Sequence, residues 1–253
     1  MDKLAIIIAS WNRPKLVKQT IESCLKNSYY KPSITVVDNS DDPETINYLE
    51  SLKDITLFRW GDEFPHLRVE SPDGFYYPAD QADSPYWNNQ WSLGKTRTKG
   101  ATLAPPSEYI YFSDNDMYFK KDWDKIMIGV LEEREDFVLV GGIAHHGNSF
   151  FAKINEEYNL CTAGKQAGNS MLFRRAEWAR IGYFPDYDED SWMGYEITTH
   201  FNKKIGVIDP EIVVHCGENS TTRDGKKIEG ILKTMDSPKI EVNKLKYPEV
   251  HFE

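Results

Sequence analysis

The residues best suited to chemistry are three polar ones that follow a short apolar segment. Asp114, Asn115 and Asp116 come just after the run Tyr109–Phe112. Carboxylate and amide oxygens are hard ligands, of the kind that Mg²⁺ and Mn²⁺ take when they bind a diphosphate. A D-x-D triplet alone is a common turn sequence, but a buried strand before it favours the functional interpretation. The pattern predicts a metal that bridges phosphate oxygens and one carboxylate.

A single arginine upstream of this triplet is a second candidate. A guanidinium group can stack on a base or donate paired, charge-assisted hydrogen bonds to a diphosphate. Arg97 is therefore predicted to contact the base or the diphosphate of a nucleotide. The alternative is an ordinary surface salt bridge. Its neighbours Lys95 and Lys99 are interpreted as solvated surface.

The first forty residues predict a strand, a helix and a second, parallel strand. Leu4–Ala9 and Ile34–Val37 are short apolar runs typical of buried strands, and Lys15–Lys26 between them has apolar residues at helical spacing. Parallel strands joined by a helix bind their ligands at the carboxyl ends of the strands. The polar loops Ser10–Pro14 and Asp38–Pro43 both lie there.

The rest of the chain continues this alternation. The spacing predicts helices at Glu44–Leu52, Leu93–Ala104, Trp123–Arg134, Arg175–Ile181 and Gly194–Lys203, and strands at Ile55–Trp60, Tyr109–Phe112, Phe137–Gly142, Met171–Phe173 and Ile212–Val214. Without a repeat or a linker, this order predicts one α/β domain with a mixed, mostly parallel sheet flanked by helices. Residues 61–91 lack periodicity and are interpreted as a lid or acceptor-facing insertion, or as a packed irregular connection.

The composition limits the function classes. With 253 residues, 40% of them apolar, the chain can bury a continuous core. Three cysteines without a CxxC spacing argue against a disulfide framework and against a structural zinc site. A net charge of −10 argues against adhesion to nucleic acid or anionic membrane as the main function. The apolar runs are too short to span a bilayer, so we expect no integral membrane segment and a cytoplasmic location.

Over roughly residues 4–220, the order of these landmarks resembles glycosyltransferase family 2 of the GT-A fold. Ile6–Pro14 is similar to the family's first strand and N-R-P loop, and Val36–Ser40 to its second strand ending in an aspartate. Gly94–Gly100 resembles the segment before the metal motif, with Arg97-Thr98 in place of the customary arginine-asparagine pair. The resemblance implies a Rossmann-like nucleotide-binding domain at residues 1–220 and a C-terminal tail at residues 221–253. The implied nucleotide-binding residues are Ser10, Asn12, Arg13, Asp38, Arg97, Asp114 and Asn115.

The second half of the chain resembles the family's acceptor side. Asp190–Glu196 is similar to the tryptophan, glycine and acid loop that holds the catalytic carboxylate in inverting members. Most relatives have Glu followed by Asp, whereas here Glu196 is followed by Ile197. Glu196 is thus the first candidate for the base and Asp190 the second, and either could instead hydrogen-bond an acceptor hydroxyl. The implied acceptor-side residues are Gly168, Asn169, Trp192, Gly194 and Tyr195.

A histidine completes the implied metal site. His215 ends the strand Ile212–Val214, much as a histidine follows a late strand in many relatives. Neutral imidazole suits Mn²⁺ better than Mg²⁺. The implied ligands of Mn²⁺ or Mg²⁺ are Asp116 and His215, whereas His145 and His146 have no counterpart and are interpreted as loop residues.

The resemblance implies a hexosyl- or pentosyltransferase that moves a sugar from a nucleoside diphosphate sugar, expected to be UDP-linked, to an acceptor hydroxyl with inversion. Two alternatives stay open: a nucleotidyltransferase, which normally has a Gly-rich basic phosphate loop that this chain lacks near its first strand, and a catalytically silent nucleotide-sugar or glycan binding module. The expected acceptor is a glycan, a glycoconjugate or a modified DNA base. A DNA acceptor would require one face to gather Lys95, Arg97, Lys99, Arg223, Lys226 and Lys227.

Overall fold

The structure is a computed structural model that describes residues 1–40, 42–60, 69–70, 76–77, 93–143, 149–163, 170–184, 189–217 and 250–251. Several predictions fall outside these described residues. They concern most of the segment 61–91, most of the tail 221–253, the two histidines at 145 and 146, and the acceptor-side residues Gly168 and Asn169.

The described residues form strands and helices that alternate along the chain. The strands are β1 (Asp2–Ser10), β2 (Ser33–Asp38), β3 (Ile55–Arg59), β4 (Val69–Glu70), β5 (Tyr76–Tyr77), β6 (Ser107–Asp114), β7 (Met117–Phe119), β8 (Phe137–Gly141), β9 (Ser149–Lys153), β10 (Asn159–Ala163), β11 (Ser170–Arg174), β12 (Lys204–Asp209) and β13 (Val213–His215). The helices are α1 (Pro14–Asn27), α2 (Pro43–Ser51), α3 (Leu93–Leu103), α4 (Trp123–Glu133), α5 (Arg175–Ile181), α6 (Glu189–Tyr195) and a π-helical turn (Glu196–His200).

The main sheet of the described residues has nine strands in the order β3-β2-β1-β6-β11-β8-β12-β10-β9. Strand β1 pairs in parallel with both β2 and β6, and only β10 and β11 run against the other strands of this sheet. A separate antiparallel ladder joins β7 to β13, and another joins β4 to β5. The predicted fold class, α/β with a mostly parallel sheet, is confirmed.

Strand β1 is buried on both faces, which explains its uninterrupted apolar run. Ile6 and Ile8 belong to a core cluster that also contains Ile21 of α1 and Trp123 of α4. Ile7, on the opposite face, belongs to a second cluster with residues of α3, α5 and α6. Helices thus cover both faces of the sheet at β1.

One predicted helix is wrong at both ends. The spacing predicts residues 194–203, but α6 begins at Glu189 and the π-helical turn ends at His200. Met193 and Ile197 are buried in the second core cluster, so packing of this apolar stripe sets the helix position. The glycine at 194, a poor helix former, hid the N-terminal half of the helix from sequence reasoning.

Six strands were not predicted, namely β4, β5, β7, β9, β10 and β12. Strand β9 is an edge strand with mostly exposed side chains, so it lacks the apolar alternation of a half-buried strand. Strand β12 contains Gly206, which weakens a strand signal. A Cβ atom there would lie 2.9 Å from Leu160 and 3.0 Å from Phe137, so close packing explains the glycine. The predicted late strand is Val213–His215, and it lies outside the main sheet.

Two further predictions concern cysteines and membrane segments. Cys24, Cys161 and Cys216 are buried free thiols, as expected from the absence of a disulfide framework. None of the helices in the described part of the chain is both long and apolar enough to span a bilayer.

Candidate active site

Three of the predicted site residues meet at the carboxyl edge of the parallel strands. Ser10 at the end of β1 is the register partner of Asp38 at the end of β2, and Ala9 is the partner of Asp114 at the end of β6. Ligands of parallel α/β sheets bind at this edge. The strand–helix–strand unit therefore places these side chains where the sequence predicts a nucleotide site.

The loop after β1 has an unusual backbone. Asn12 and Arg13 both adopt left-handed conformations, with φ of 51° and 60°. Such conformations cost non-glycine residues about 1–3 kcal/mol each and cluster at functional sites. Hydrogen bonds hold the loop: the Asn12 N–H donates to Ser40 Oγ at 2.7 Å, and the Asn115 amide donates to the carbonyls of Trp11 and Asn12. Asn12 and Asn115 thus fix the loop that precedes α1.

Asp38 supports this loop from beneath. It is 1% exposed, and the Ser40 hydroxyl donates to its Oδ1 at 2.5 Å. Ser40 accepts the Asn12 N–H in turn, so the carboxylate organises the loop through one serine. Burial raises the pKa of Asp38, while Ser40 and the Arg59 guanidinium, whose Nε is 3.5 Å from Oδ2, oppose that rise.

Arg97 is an internal counter-charge for Asp114. Its side chain is 0% exposed, and its Nη2 lies 2.8 Å from Asp114 Oδ1. The alternative of a surface salt bridge is therefore wrong. The guanidinium has no exposed surface, which argues against the expected direct contact with a base or a diphosphate. Its location in α3 directs it under the site, where it compensates a carboxylate whose pKa is raised by burial.

Asp116 is the centre of a cluster of three charged or polar side chains. Its Oδ2 lies 2.7 Å from Arg13 Nη1 and 3.3 Å from His215 Nε2. The ladder between β7 and β13 brings the histidine here, because Met117 pairs with His215 and the Cys216 N–H donates to the Asp116 carbonyl. Burial alone would raise the pKa of Asp116, but His215 and Arg13 outweigh it and lower the pKa.

The donor set of Asp116 and His215 fits a divalent cation. Two ligands on neighbouring positions of an octahedral ion are about 3 Å apart, close to the 3.3 Å between Oδ2 and Nε2. The other oxygen of Asp116, Oδ1, is buried without a hydrogen-bond partner among the described residues. Those residues hold no group of three His, Cys, Asp or Glu side chains that could bind a metal alone. A cation at this pair would take its remaining ligands from a diphosphate and water.

Comparison with known proteins agrees with this geometry. Residues 5–67, which include β1, the N-R-P loop and β2, match the sequence profile of glycosyl transferase family 2. A crystal structure of GalNAc-T7 with UDP, GalNAc and Mn²⁺ superposes with a TM-score of 0.60 at 12% identity, covering 85% of this chain and 44% of that chain. The chain has a GT-A fold, and its residues 5–67 are similar to glycosyl transferase family 2.

Two further GT-A structures are similar, both of TarS from S. aureus. One superposes with a TM-score of 0.53 at 18% identity and covers 83% of this chain and 36% of TarS. The other, TarS 1–349, gives a TM-score of 0.51 at 17% identity and covers 83% and 59%. The chain thus spans about half or less of the length of most of these structures. No curated protein sequence matches it.

The candidate base of this GT-A chain lies on the π-helical turn. Glu196 is its first residue, and its Oε2 lies 2.8 Å from Nδ1 of His200 at its last residue. Single π turns within helices are frequent at functional sites. The Glu196 side chain is 20% exposed and that of His200 is 57% exposed, so solvent reaches this pair. Sequence reasoning did not identify His200, although the predicted helix Gly194–Lys203 already places it four residues after Glu196.

The other predicted acceptor-side residues, Trp192, Gly194 and Tyr195, lie on α6. Gly194 is buried, Tyr195 is 57% exposed, and the Trp192 ring packs 5.0 Å from that of Tyr183. Asp190 is in the first turn of this helix. An exposed tyrosine next to the candidate base offers a surface on which a sugar ring could pack.

The basic face required for a DNA acceptor is incomplete in the described residues. Arg97 is fully buried and paired with Asp114. Lys99 packs over the Phe58 ring, 4.3 Å from its centroid. The residues Arg223, Lys226 and Lys227 lie outside the described ranges. A DNA acceptor would require Arg97 on such a face, and its burial does not support that requirement.

Proposed function

We propose that this protein is a glycosyltransferase that moves a sugar from a UDP-linked donor to the hydroxyl of a glycan or glycoconjugate, with a divalent cation and with inversion. The observation that carries the proposal is the pair of Asp116 and His215 at the carboxyl edge of the parallel strands. The family 2 profile over residues 5–67 supports it, as does the fold shared with GalNAc-T7, a structure that contains UDP and Mn²⁺.

The donor is proposed to bind along the edge formed by β1, β2 and β6. The left-handed loop at Asn12 and Arg13 would contact the nucleotide, and Ser40, Asp38 and Asn115 hold that loop in place. Asp114, at the end of β6, has a side chain that is 26% exposed and faces the same edge. Asp116 and His215 would hold Mn²⁺ or Mg²⁺, which neutralises negative charge on the leaving diphosphate.

Transfer then requires an acceptor hydroxyl to lose its proton. In the proposed mechanism Glu196 removes this proton while the hydroxyl oxygen attacks the anomeric carbon from the face opposite the nucleotide. A new carbon–oxygen bond forms to the acceptor, and the bond between the anomeric carbon and the diphosphate oxygen breaks. Asp190 is the second candidate for the base.

The experiment that tests this function is a panel of nucleotide sugars, incubated with the protein with and without Mn²⁺ or Mg²⁺. We expect metal-dependent release of UDP from one donor. No release and no binding of any nucleotide sugar by calorimetry would refute the transferase. Binding without release, with or without glycan acceptors, would instead support a silent binding module, an alternative that Ile197 favours because it replaces the second acid of the family's loop.

Glu196→Gln is expected to lower the transfer rate at saturating substrates by about a hundredfold, which is the ordinary contribution of a general base. Glutamine keeps the shape of the side chain but cannot accept the proton at neutral pH. Affinity for UDP, measured by calorimetry, should stay within about twofold because Glu196 serves the acceptor.

Glu177→Gln is the matched control, since Glu177 is also ion-paired on a neighbouring helix, to Arg180 at 2.9 Å. Its transfer rate should equal that of the wild type. A full transfer rate for Glu196→Gln together with a lost transfer rate for Asp190→Asn would assign the base to Asp190 instead.

Gly217→Ala is expected to weaken binding of Mn²⁺ in the presence of UDP by about ten- to hundredfold, as changes around metal ligands ordinarily do. A Cβ atom at 217 would overlap Asp116 Oδ2 and Arg13 Nη1, so the carboxylate must move. Sequence reasoning missed this glycine because only the folded chain brings it against Asp116.

Gly129→Ala is the control for this glycine substitution. Gly129 lies in α4, and a Cβ atom there meets nothing within 4 Å. Its Mn²⁺ affinity should not change. Equal Mn²⁺ affinities for Gly217→Ala and the wild type would show that Asp116 is not a metal ligand.

A further inference from the structure

Two side chains contact Asp116 Oδ2: the guanidinium of Arg13, and His215, the other candidate metal ligand. Arg13 Nη1 is 2.7 Å from this oxygen, and His215 Nε2 is 3.3 Å from it. Oδ1 has no hydrogen-bond partner among the described residues, and both Arg13 and His215 contact the carboxylate at Oδ2. The guanidinium therefore occupies the side of Asp116 from which a divalent cation and His215 would meet.

The backbone holds Arg13 in this position. The residue lies in the left-handed region, with φ of 60°, immediately before Pro14 begins α1. Gly217 lies against both members of the pair, because a Cβ atom there would overlap Asp116 Oδ2 and Arg13 Nη1. Arg13 is 18% exposed on its side chain and Asp116 is 8% exposed. Gly217 thus encloses the contact between Arg13 and Asp116 on one side, and the loop backbone holds Arg13 in position.

Arg13 and a divalent cation would compete electrostatically for Asp116 Oδ2. A partly buried carboxylate requires a compensating charge, and Arg13 supplies it. A divalent cation on the same oxygen would lie next to the guanidinium, and the two positive charges would repel each other strongly at such a distance in a poorly hydrated site. A divalent cation on Oδ2 would therefore bind more tightly once Arg13 has left Asp116.

We propose that Arg13 is an internal cation that competes with the divalent metal for Asp116 Oδ2, so that metal and donor bind together. This inference rests on the proposed function, because the diphosphate of the donor is the second anion that takes over the guanidinium. Metal binding is then coupled to donor binding by a property of this chain's own loop.

The test is a titration with MnCl₂, followed by electron paramagnetic resonance of free Mn²⁺, on wild type and Arg13→Gln, each with and without UDP. Without UDP, Arg13→Gln is expected to bind Mn²⁺ about tenfold more tightly than wild type, within the ordinary range of coupling between sites. UDP should raise the Mn²⁺ affinity of wild type by a larger factor than that of the variant. Equal or weaker Mn²⁺ binding by Arg13→Gln without UDP overturns the proposal.

Two variants separate competition by charge from other effects. Arg180→Gln removes an exposed arginine of α5 and should bind Mn²⁺ as wild type does. Arg13→Lys keeps the charge and should also bind Mn²⁺ weakly without UDP, and it serves if the glutamine variant fails to fold. Tighter Mn²⁺ binding by Arg13→Lys, equal to that expected of Arg13→Gln, would overturn a competition of charges.

UDP binding is also measured on the same proteins in EDTA. This measurement distinguishes failure of the inference from failure of the proposed function. If wild type binds UDP while none of the proteins binds Mn²⁺, the competition is refuted and nucleotide recognition stands. If wild type binds neither UDP nor Mn²⁺, the proposed function fails and the competition fails with it.

Discussion

Asp116→Asn is expected to lower metal-dependent UDP release by about a thousandfold, equivalent to ~4 kcal/mol of transition-state stabilisation. Asparagine has nearly the same shape, but it lacks the charge that attracts a divalent cation. It would also remove the ion pair with Arg13, whose Nη1 is 2.7 Å from Asp116 Oδ2. Steady-state release of UDP at saturating donor and Mn²⁺ is the measurement, with a thermal melt to confirm folding.

Asp136→Asn is the matched control for this change. Asp136 is ion-paired with Lys204 at 2.8 Å on the surface, and it lies at the opposite, amino end of β8. Its loss should leave the rate unchanged, since exposed pairs contribute little. A rate for Asp116→Asn within about threefold of the wild type would be incompatible with a metal at this aspartate.

Arg97→Leu is expected to lower the free energy of unfolding by about 3 kcal/mol, because removal of one partner of a buried ion pair leaves an uncompensated charge. Arg97 has no exposed surface, and the carboxylate of Asp114 is 26% exposed. Urea unfolding followed by circular dichroism measures the change. The double variant Arg97→Leu with Asp114→Asn should recover part of the loss, and an equal loss in both would contradict the pairing.

The destabilisation should depend on pH with a definite sign. Burial already raises the pKa of Asp114 above its ordinary value of 3.8, and Arg97 opposes this rise. Without Arg97 the folded-state pKa rises further, so the protonated carboxyl is favoured in the folded state. The loss from Arg97→Leu is therefore full near neutral pH and shrinks as the pH falls through this raised pKa. Urea unfolding near pH 7 and near pH 5 measures this trend.

The parts of the site that follow the parallel strands could be predicted from the sequence. Strands buried on both faces are continuous apolar runs, so β1, β2 and β6 are evident, and the first polar residues after them must lie at one edge. Asp38 and Asp114 are placed in this way, and the observed register brings them to the same edge. The helix after the N-R-P sequence could be predicted too, because proline favours a first turn.

The contacts among these residues could not be predicted, since they depend on long-range packing. Nothing in the spacing of Arg97 and Asp114 indicates that the guanidinium is fully buried. The contact of Arg13 with Asp116 joins residues 103 positions apart, and Gly217 lies against both once β13 pairs with β7. The exposed edge strand β9 and the glycine-containing β12 lack apolar patterns that distinguish them from loops.

The reactivity of the buried thiols can report local opening of the folded chain. Cys216 is fully buried between His215 and Gly217, and its N–H is bonded to the Asp116 carbonyl. Burial raises the pKa of both Cys216 and Cys24, so neither is a ready thiolate in the closed protein. A thiol reagent can reach Cys216 only when the β13 side of the site opens, whereas it can reach Cys24 only when α1 leaves the core. Labelling of Cys216 that is faster than labelling of Cys24 would therefore indicate local opening at the candidate cation site without displacement of α1.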